Sequence, residues 1–312
     1  MKILVTGGAG FIGSNIVDGF IAEGHEVIVV DNLSTGKKEN VNKKARFFNI
    51  DIRDPGLRDI FKTEKPAVVN HHAAQIDIRK SVERPIDDAM INILGTINVL
   101  ENCKEFGVKR VIFASSGGAI YGDADSLPAS EDRPANPISP YGITKRCGEL
   151  YLEFYKMTCS LDYIALRYGN VYGPRQDPHG ESGVVAIFIQ KMLIGEIPTI
   201  YGDGEQVRDY VYVDDVVEAN IIALKSKKGG HYNIGTGIGI SVNNLFMILS
   251  KVLQFDKKAV YVPCRKGELY KNYLDPGKAK KDLGWSAKTP IYIGLAKTVE
   301  WFEKQKRTNN IH

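Results

Sequence analysis

Ile3-Leu-Val-Thr6 runs straight into Gly7-Gly-Ala-Gly10-Phe-Ile-Gly13, and apolar residues at helical spacing follow at once. This order of apolar run, glycine turn and helix restricts the fold more than any other feature of the chain. A short apolar run bounded by glycines reads as a buried strand. Phe11, Ile12, Ile16, Val17, Phe20 and Ile21 recur on one side of a helix that Gly24 ends. The alternation then continues. Val27-Ile-Val-Val30, residues 46–50, Ala67-Val-Val-Asn70 and Val111-Ile-Phe-Ala114 read as further strands. Helices are expected behind Asp54-Pro55, with Pro55 in the first turn, from about Pro85 to Phe106 and from Pro140 to Thr158. Strands apolar on both faces and separated by helices build a parallel sheet covered on both sides. The expected fold class is therefore α/β, a doubly wound parallel sheet of the Rossmann type.

The texture changes after about Arg167. Prolines, glycines and aromatics gather in residues 172–180 and 198–204, which reads as a smaller, loop-rich lobe. Val211 to Leu224 reads as a strand and helix returning to the first part. The expected division is residues 1–168, with a return segment at about 206–235, for a dinucleotide, and 169–205 with 236–312 for a substrate. The polar end of the chain, 304–312, is expected to fray. No internal repeat or low-complexity segment is present.

The glycine turn fits G-x-G-x-x-G and sits between strand and helix, where that motif has a mechanism. Glycines allow close backbone approach to a pyrophosphate, and the helix N-terminus offers free N–H groups and partial positive charge. Asp31 ends the second strand, roughly 20 residues on; a carboxylate there accepts from a ribose diol and repels a 2′-phosphate, which favours NAD over NADP. Tyr141 and Lys145 are four apart and share a helix face. An ammonium beside a phenol stabilises the phenolate and is expected to move its pKa from about 10 toward neutrality. A dinucleotide site plus a tuned phenol points to alcohol–ketone redox chemistry.

Thr6-Gly-Gly-Ala-Gly-Phe-Ile-Gly13 with Tyr141-x-x-x-Lys145 resembles the extended short-chain dehydrogenase/reductase superfamily over nearly the whole chain. Asp31-Asn-Leu-Ser-Thr-Gly36, Ser115-Ser-Gly-Gly-Ala-Ile-Tyr-Gly122, Arg167-Tyr-Gly-Asn-Val-Tyr-Gly-Pro174 and Arg208-Asp-Tyr210 are similar to its NAD-dependent epimerase/dehydratase branch, the UDP-hexose 4-epimerases above all. The resemblance implies that NAD meets Gly7, Gly10, Phe11, Ile12 and Gly13, then Asp31, Asn32, Ser34, Thr35 and Gly36. It implies further contacts at Asp51 and Ile52 around the adenine, at Ala73, Ala74 and Gln75 after the fourth strand, and at Asn92, Ser115, Tyr141, Lys145 and Tyr168. Asn170, Val184, Tyr201, Arg208, Val242, Arg265 and Glu268 match nucleotide-sugar positions: the arginines suit a diphosphate, Tyr201 a uracil face and Glu268 a ribose diol.

The implied activity is reversible C4 epimerisation of a UDP-hexose through a 4-keto sugar, with Tyr141 exchanging the 4-hydroxyl proton and NAD acting as transient oxidant. Two departures from the family pattern matter. Gly117 stands where relatives often carry Ser or Thr, so Ser116 is the candidate hydroxyl. Arg265-Lys-Gly-Glu268 replaces the usual Arg-Pro-Gly-Asp. Asn272 falls near the position that gates the sugar's 2-substituent, and asparagine is small enough to admit N-acetyl groups. Dehydratases, decarboxylases and uronate epimerases are the nearest rivals, and the first two usually carry an acid after the serines that Ser116-Gly117-Gly118 lacks. A simple reductase or a non-catalytic NAD sensor are the remaining alternatives.

Charge and composition exclude other classes. The net charge of +4, from 41 basic and 37 acidic side chains, is too small and scattered for a nucleic-acid partner. No apolar run suits a membrane span, and the N-terminal run is too short for a signal peptide. Cys103, Cys147, Cys159 and Cys264 show no metal or redox spacing, so a cytoplasmic protein with reduced thiols is expected. His71 and His72 read as packed residues at a strand end and His179 as a loop residue; no metal is expected. Relatives pair through their two long helices, which implies a homodimer.

Overall fold

The computed structural model describes residues 1–123, 126–178, 183–264 and 269–309. The chain begins with β1 (Lys2–Thr6), α1 (Phe11–Ala22), β2 (Glu26–Asp31), β3 (Arg46–Asn49), α2 (Leu57–Glu64) and β4 (Val68–His71). Next come α3 (Ile78–Glu83), α4 (Pro85–Ala89), a π-helical turn at Met90–Leu94, α5 (Gly95–Glu105), β5 (Arg110–Ser116), α6 (Gly117–Ile120) and α7 (Pro140–Cys159). The remainder runs β6 (Asp162–Tyr168), β7 (Asn170–Tyr172), α8 (Val184–Leu193), β8 (Thr199–Tyr201), β9 (Val207–Tyr212), α9 (Val213–Lys225), β10 (Gly230–Ile234), β11 (Gly239–Ser241), α10 (Val242–Leu253), β12 (Val260–Val262), β13 (Lys271–Asn272), α11 (Gly277–Leu283) and α12 (Ile291–Asn309).

The main sheet has seven parallel strands in the order β10-β6-β5-β4-β1-β2-β3. Strand alternation sorts its side chains onto two cores. Ile3, Val5, Val27 and Val29 meet Ile16, Phe20, Val216 and Ala219 of α1 and α9. Leu4, Ile28 and Val30 meet Phe61, Val99, Leu100 and Leu152 of α2, α5 and α7. Each fully buried phenylalanine, such as Phe20 or Phe61, contributes about 1.5–3 kcal/mol of transfer free energy. A third core joins α8, α10 and α12 to Tyr172, Tyr210 and Tyr212. It lies beside smaller sheets, one of which pairs β9 with β7, β11 and β13, while β8 pairs with β12.

Strand order reverses between β1 and β4. Their ends are in register at Thr6 and His71, while Ser116 of β5 is level with Tyr168 of β6. Carboxyl ends at such a switch point form the natural crevice for a ligand.

Three expectations about elements need correcting. Val207–Tyr212 belongs to a smaller sheet, and the return to the main sheet is made by α9, packed on α1, and then β10. The helical segment from Pro85 contains a π-turn, within which Asn92 turns inward to accept from Gln75 N. The polar tail continues α12, which Leu295, Val299 and Phe302 anchor to the core, as a helix as far as Asn309; residues 310–312 lie outside the described residues.

Candidate active site

The glycines are required by contact. Gly7 has φ +70°, and a Cβ on it would sit 2.6 Å from Ala73 N. A Cβ on Gly13 would lie 2.2 Å from Gly7 O, and one on Gly10 would lie 3.2 Å from the same oxygen. The turn is thus folded on itself and pressed against the chain leaving β4. Phe11 and Ile12 open α1, whose N-terminus has neither a side-chain cap nor an acidic first turn, leaving its N–H groups free to meet an anion.

Thr6 locks this arrangement. Its Oγ1 accepts from the backbone N–H groups of His72 and Ala73, both at 3.2 Å, and donates to His71 Nδ1 at 2.6 Å. Thr96 Oγ1 donates to Asn92 O, so His71 Nε2–H donates to Thr96 at 3.0 Å. Burial holds His71 neutral, its pKa lowered to about 3. His72 is likewise pushed down to about 3 by burial; it stacks on Tyr168 and accepts from its hydroxyl at 3.1 Å. Both histidines are structural.

Asp31 is 7% exposed. Its carboxylate accepts from Ala9 N at 2.9 Å and Leu33 N at 2.8 Å, and a Cβ on Gly36 would press on it at 2.9 Å. A carboxylate has about four lone-pair sites, so acceptor capacity remains for a ligand diol. Asn32 donates to Asp51 at 2.8 Å and its side-chain oxygen turns the chain at Ser34 N; Ser34 and Thr35 are exposed beside it. Arg53 bonds both oxygens of Asp51 and, as the main cause, lowers its pKa to about 2. Ile52 is buried, and its carbonyl accepts from Asn98. The crowding at Gly7 and Gly13, the open α1 N-terminus and the buried Asp31 fit a dinucleotide diphosphate and its ribose.

Two residues expected to line the dinucleotide have their polar atoms committed to protein partners. Asn92 accepts from Gln75 N at 2.8 Å and donates to Gln75 O, Asp88 and Thr144, so it shapes the segment carrying Ala73, Ala74 and Gln75. The Tyr168 hydroxyl accepts from Asn220 at 2.9 Å beneath the sheet edge.

Ser139 caps α7 through Gly142 N, and Pro140 occupies its first turn. Tyr141 N donates to Ser81 Oγ at 3.2 Å. Ser116 lies close enough to the Tyr141 phenol to favour its ionised form. Lys145 is 5% exposed; its Nζ lies 5.8 Å from the Tyr141 ring centroid and donates to Ala114 O at 2.8 Å. The expected lowering of the phenol's pKa is not found in this arrangement. Burial pushes Tyr141 up to about 12, Asp88 adds to the rise and Ser116 opposes it. The ammonium sits against the ring and a carbonyl, and burial lowers Lys145 to about 8, against the charges of Asp88 and Glu149.

Gly117 has a packing reason. A Cβ there would strike Leu274 at 2.5 and 2.7 Å, whereas one on Gly118 would meet Ser116 Oγ and Asn170 Oδ1 at a comfortable 3.8 Å. Asn272 is 3% exposed, with Nδ2 3.4 Å from the carbonyls of Gly117 and Gly118, so it lies against this turn. Its neighbour Tyr270 instead bonds Asp203 at the surface. Val184 and Val242 open α8 and α10, and Tyr201 ends β8. Arg208 projects from β9 to donate to Leu269 O at 2.7 Å and Val207 O at 2.8 Å. Arg265, Glu268 and His179 lie outside the described residues.

The sequence reading missed a buried ionic group. Glu149 is fully buried and accepts from Ser115, at 2.7 Å, and from Arg167 through two nitrogens, at 2.8 and 2.7 Å. Arg167 then donates to Tyr121 and Tyr121 to Asn233 of β10, both at 2.8 Å. The available signal was spacing, since Glu149 stands one helical turn beyond Lys145.

Residues 3–235 match the model of the NAD dependent epimerase/dehydratase family. The chain is 50% identical to a putative UDP-glucose 4-epimerase of Methanocaldococcus jannaschii, covering 98% of this chain and 100% of that one. It superposes on the UDP-glucose 4-epimerase of Thermotoga maritima, solved with UDP-glucose, with a TM-score of 0.97 at 52% identity, covering 98% of this chain and 100% of that one. The Thermus thermophilus UDP-glucose 4-epimerase, solved with NAD, gives a TM-score of 0.92 at 46% identity, covering 97% and 99%. With this match and this site, the chain belongs to the NAD dependent epimerase/dehydratase family.

Proposed function

We propose that this protein catalyses the reversible C4 epimerisation of a UDP-hexose, interconverting UDP-glucose and UDP-galactose, with NAD tightly bound and regenerated in each cycle. One observation carries the reading: the crowded glycine turn, Asp31 and the Tyr141–Ser116 pair beside Lys145 gather at the carboxyl edge of a single parallel sheet. Gly7, Gly10, Gly13 and the α1 N-terminus would hold the diphosphate of NAD, and Asp31 its ribose. When bound, NAD supplies a transient hydride acceptor and a cationic ring. Tyr141 takes the proton of the sugar 4-hydroxyl and later returns it. Ser116, next to the same phenol, stabilises the phenolate and relays the proton. Lys145 supplies compensating positive charge, and Arg208 grips the sugar nucleotide while the keto sugar turns over.

The neutral Ser116-Gly117-Gly118 turn disfavours dehydration or decarboxylation, and the nearby Glu149 carboxylate is already held by Arg167 and Ser115. The placement of Asn272 against the two glycines supports acceptance of N-acetylated hexoses. Residues 1–168 with the return through β10 serve NAD in this reading, and the parts around β7–β9 and after β10 serve the sugar nucleotide. Exposed Ile86, Met90 and Leu94 on one helical segment and Ile143, Leu150, Phe154 and Met157 on α7 support a homodimer through these helices. Four free thiols support a cytoplasmic setting, and the reaction would belong to galactose metabolism. The test is incubation with a panel of UDP-sugars followed by sugar analysis. Interconversion without net NADH change is expected. Stoichiometric NADH consumption, or loss of C6 oxygen or carbon, overturns the proposal.

A further inference from the structure

Asp88, at the end of α4, is 1% exposed. Its Oδ1 accepts from Gln75 Nε2 at 2.8 Å and Asn92 Nδ2 at 3.2 Å, and its Oδ2 from Thr144 Oγ1 at 3.0 Å. The three donors are uncharged, and each comes from a different element: the segment after β4, the π-turn and α7. Thr144 Oγ1 also lies 3.0 Å from the carbonyl of Tyr141, so Asp88 is one hydrogen bond removed from the backbone of the proton-transfer residue. Burying a carboxylate among neutral donors is costly. A nearby cation offsets that cost, and Lys145, the next residue on α7, is within electrostatic reach of Asp88.

The titratable groups within electrostatic reach of Lys145 are Asp88 from α4, Tyr141 and Glu149 from its own helix, and His71 and His72 at the end of β4. Both histidines are neutral. Glu149 is already paired with Arg167 and Arg146. That leaves Asp88 as the carboxylate whose charge is balanced across the site. We infer that Asp88 is a positioning residue, joining the dinucleotide segment after β4 to the first turn of α7 and setting its negative charge against Thr144, the residue before Lys145.

Asp88→Asn is the natural probe, because it keeps the shape and an acceptor for Gln75 and Asn92, while Thr144 can turn its hydroxyl to the Tyr141 carbonyl. The Lys145 Cε resonance is followed against pH in protein carrying labelled lysine and assigned with Lys145→Arg. The midpoint should fall by about one pH unit in Asp88→Asn and stay near the wild-type value in Asp88→Glu. If Asp88→Asn does not fold, Asp88→Ser is read in the same way. An unmoved midpoint in the neutral variant overturns the inference. This readout is independent of the epimerase reading. On that reading, turnover of Asp88→Asn should fall about fivefold at pH 8 and little at pH 6. A loss equal at both pH values, with Lys145 unmoved, would show a merely structural residue.

Discussion

Deleting the Tyr141 hydroxyl removes the group whose ionised form Ser116 favours, but leaves the ring that packs beside Lys145. Tyr141→Phe should therefore lower turnover by about 10²–10⁴-fold while UDP-sugar affinity, measured by calorimetry, stays within about threefold. An active Tyr141→Phe enzyme would remove the proton-transfer role. Lys145 sits at about 8, so turnover should decline as pH rises through that value and the ammonium is lost; a flat alkaline limb would contradict this. Asp31 ties down Ala9 N and, in the proposed function, would also accept from the NAD ribose. Asp31→Ala should weaken NAD binding more than tenfold and NADP binding far less, as read by titration of NAD-free protein. The glycine turn, Asp31, Tyr141 and Lys145 were legible in the sequence because their chemistry depends on local spacing. Asp88, Glu149 and Arg167 were not, because each acquires its meaning from partners on other elements. The phenol's raised pKa escaped for the same reason: helix spacing shows that Lys145 is near, not where its nitrogen points.

Among the elements, the turn from β5 into α6 tests why glycine stands at position 117. Gly117→Ser should destabilise the protein by about 1–3 kcal/mol, because the added Cβ meets a buried Leu274. Thermal unfolding of Gly117→Ser, alone and with Leu274→Ala, measures this, and the second change should restore part of the loss. Gly118→Ser has room and should cost much less. Strands β1 to β5 of the main sheet were readable as apolar runs, and the longer helices of the first half from their periodicity; β6 and β10 were not, because Asp162, Arg167, His231 and Asn233 interrupt their apolar pattern. The allegiance of β9 was not, since an apolar strand looks the same in either sheet. The π-turn at Met90–Leu94 was also hidden, because it shifts the helix by a single residue.

For the whole molecule, Glu149 and Arg167 form a buried ion pair between α7 and β6. Removing one partner of such a pair costs about 3–5 kcal/mol, so Glu149→Gln should lower the denaturation midpoint clearly at pH 7. Hydrogen bonds and charge from Arg167 hold the Glu149 pKa below the usual carboxylate value, despite burial. Its stabilisation is thus complete above that usual value and is lost as pH falls through the depressed one. The gap between wild type and Glu149→Gln should narrow on acidification, and a constant gap would contradict the linkage.

Ser115 hangs from the same carboxylate that, through Arg167 and Tyr121, reaches Asn233 at the outermost strand of the sheet. The edge strand β10 and Ser115, the residue before Ser116, are therefore tied by one buried chain of polar contacts. A disturbance of β10 at Asn233 thus has a direct route to the end of β5, where the proposed proton-relay hydroxyl of Ser116 stands.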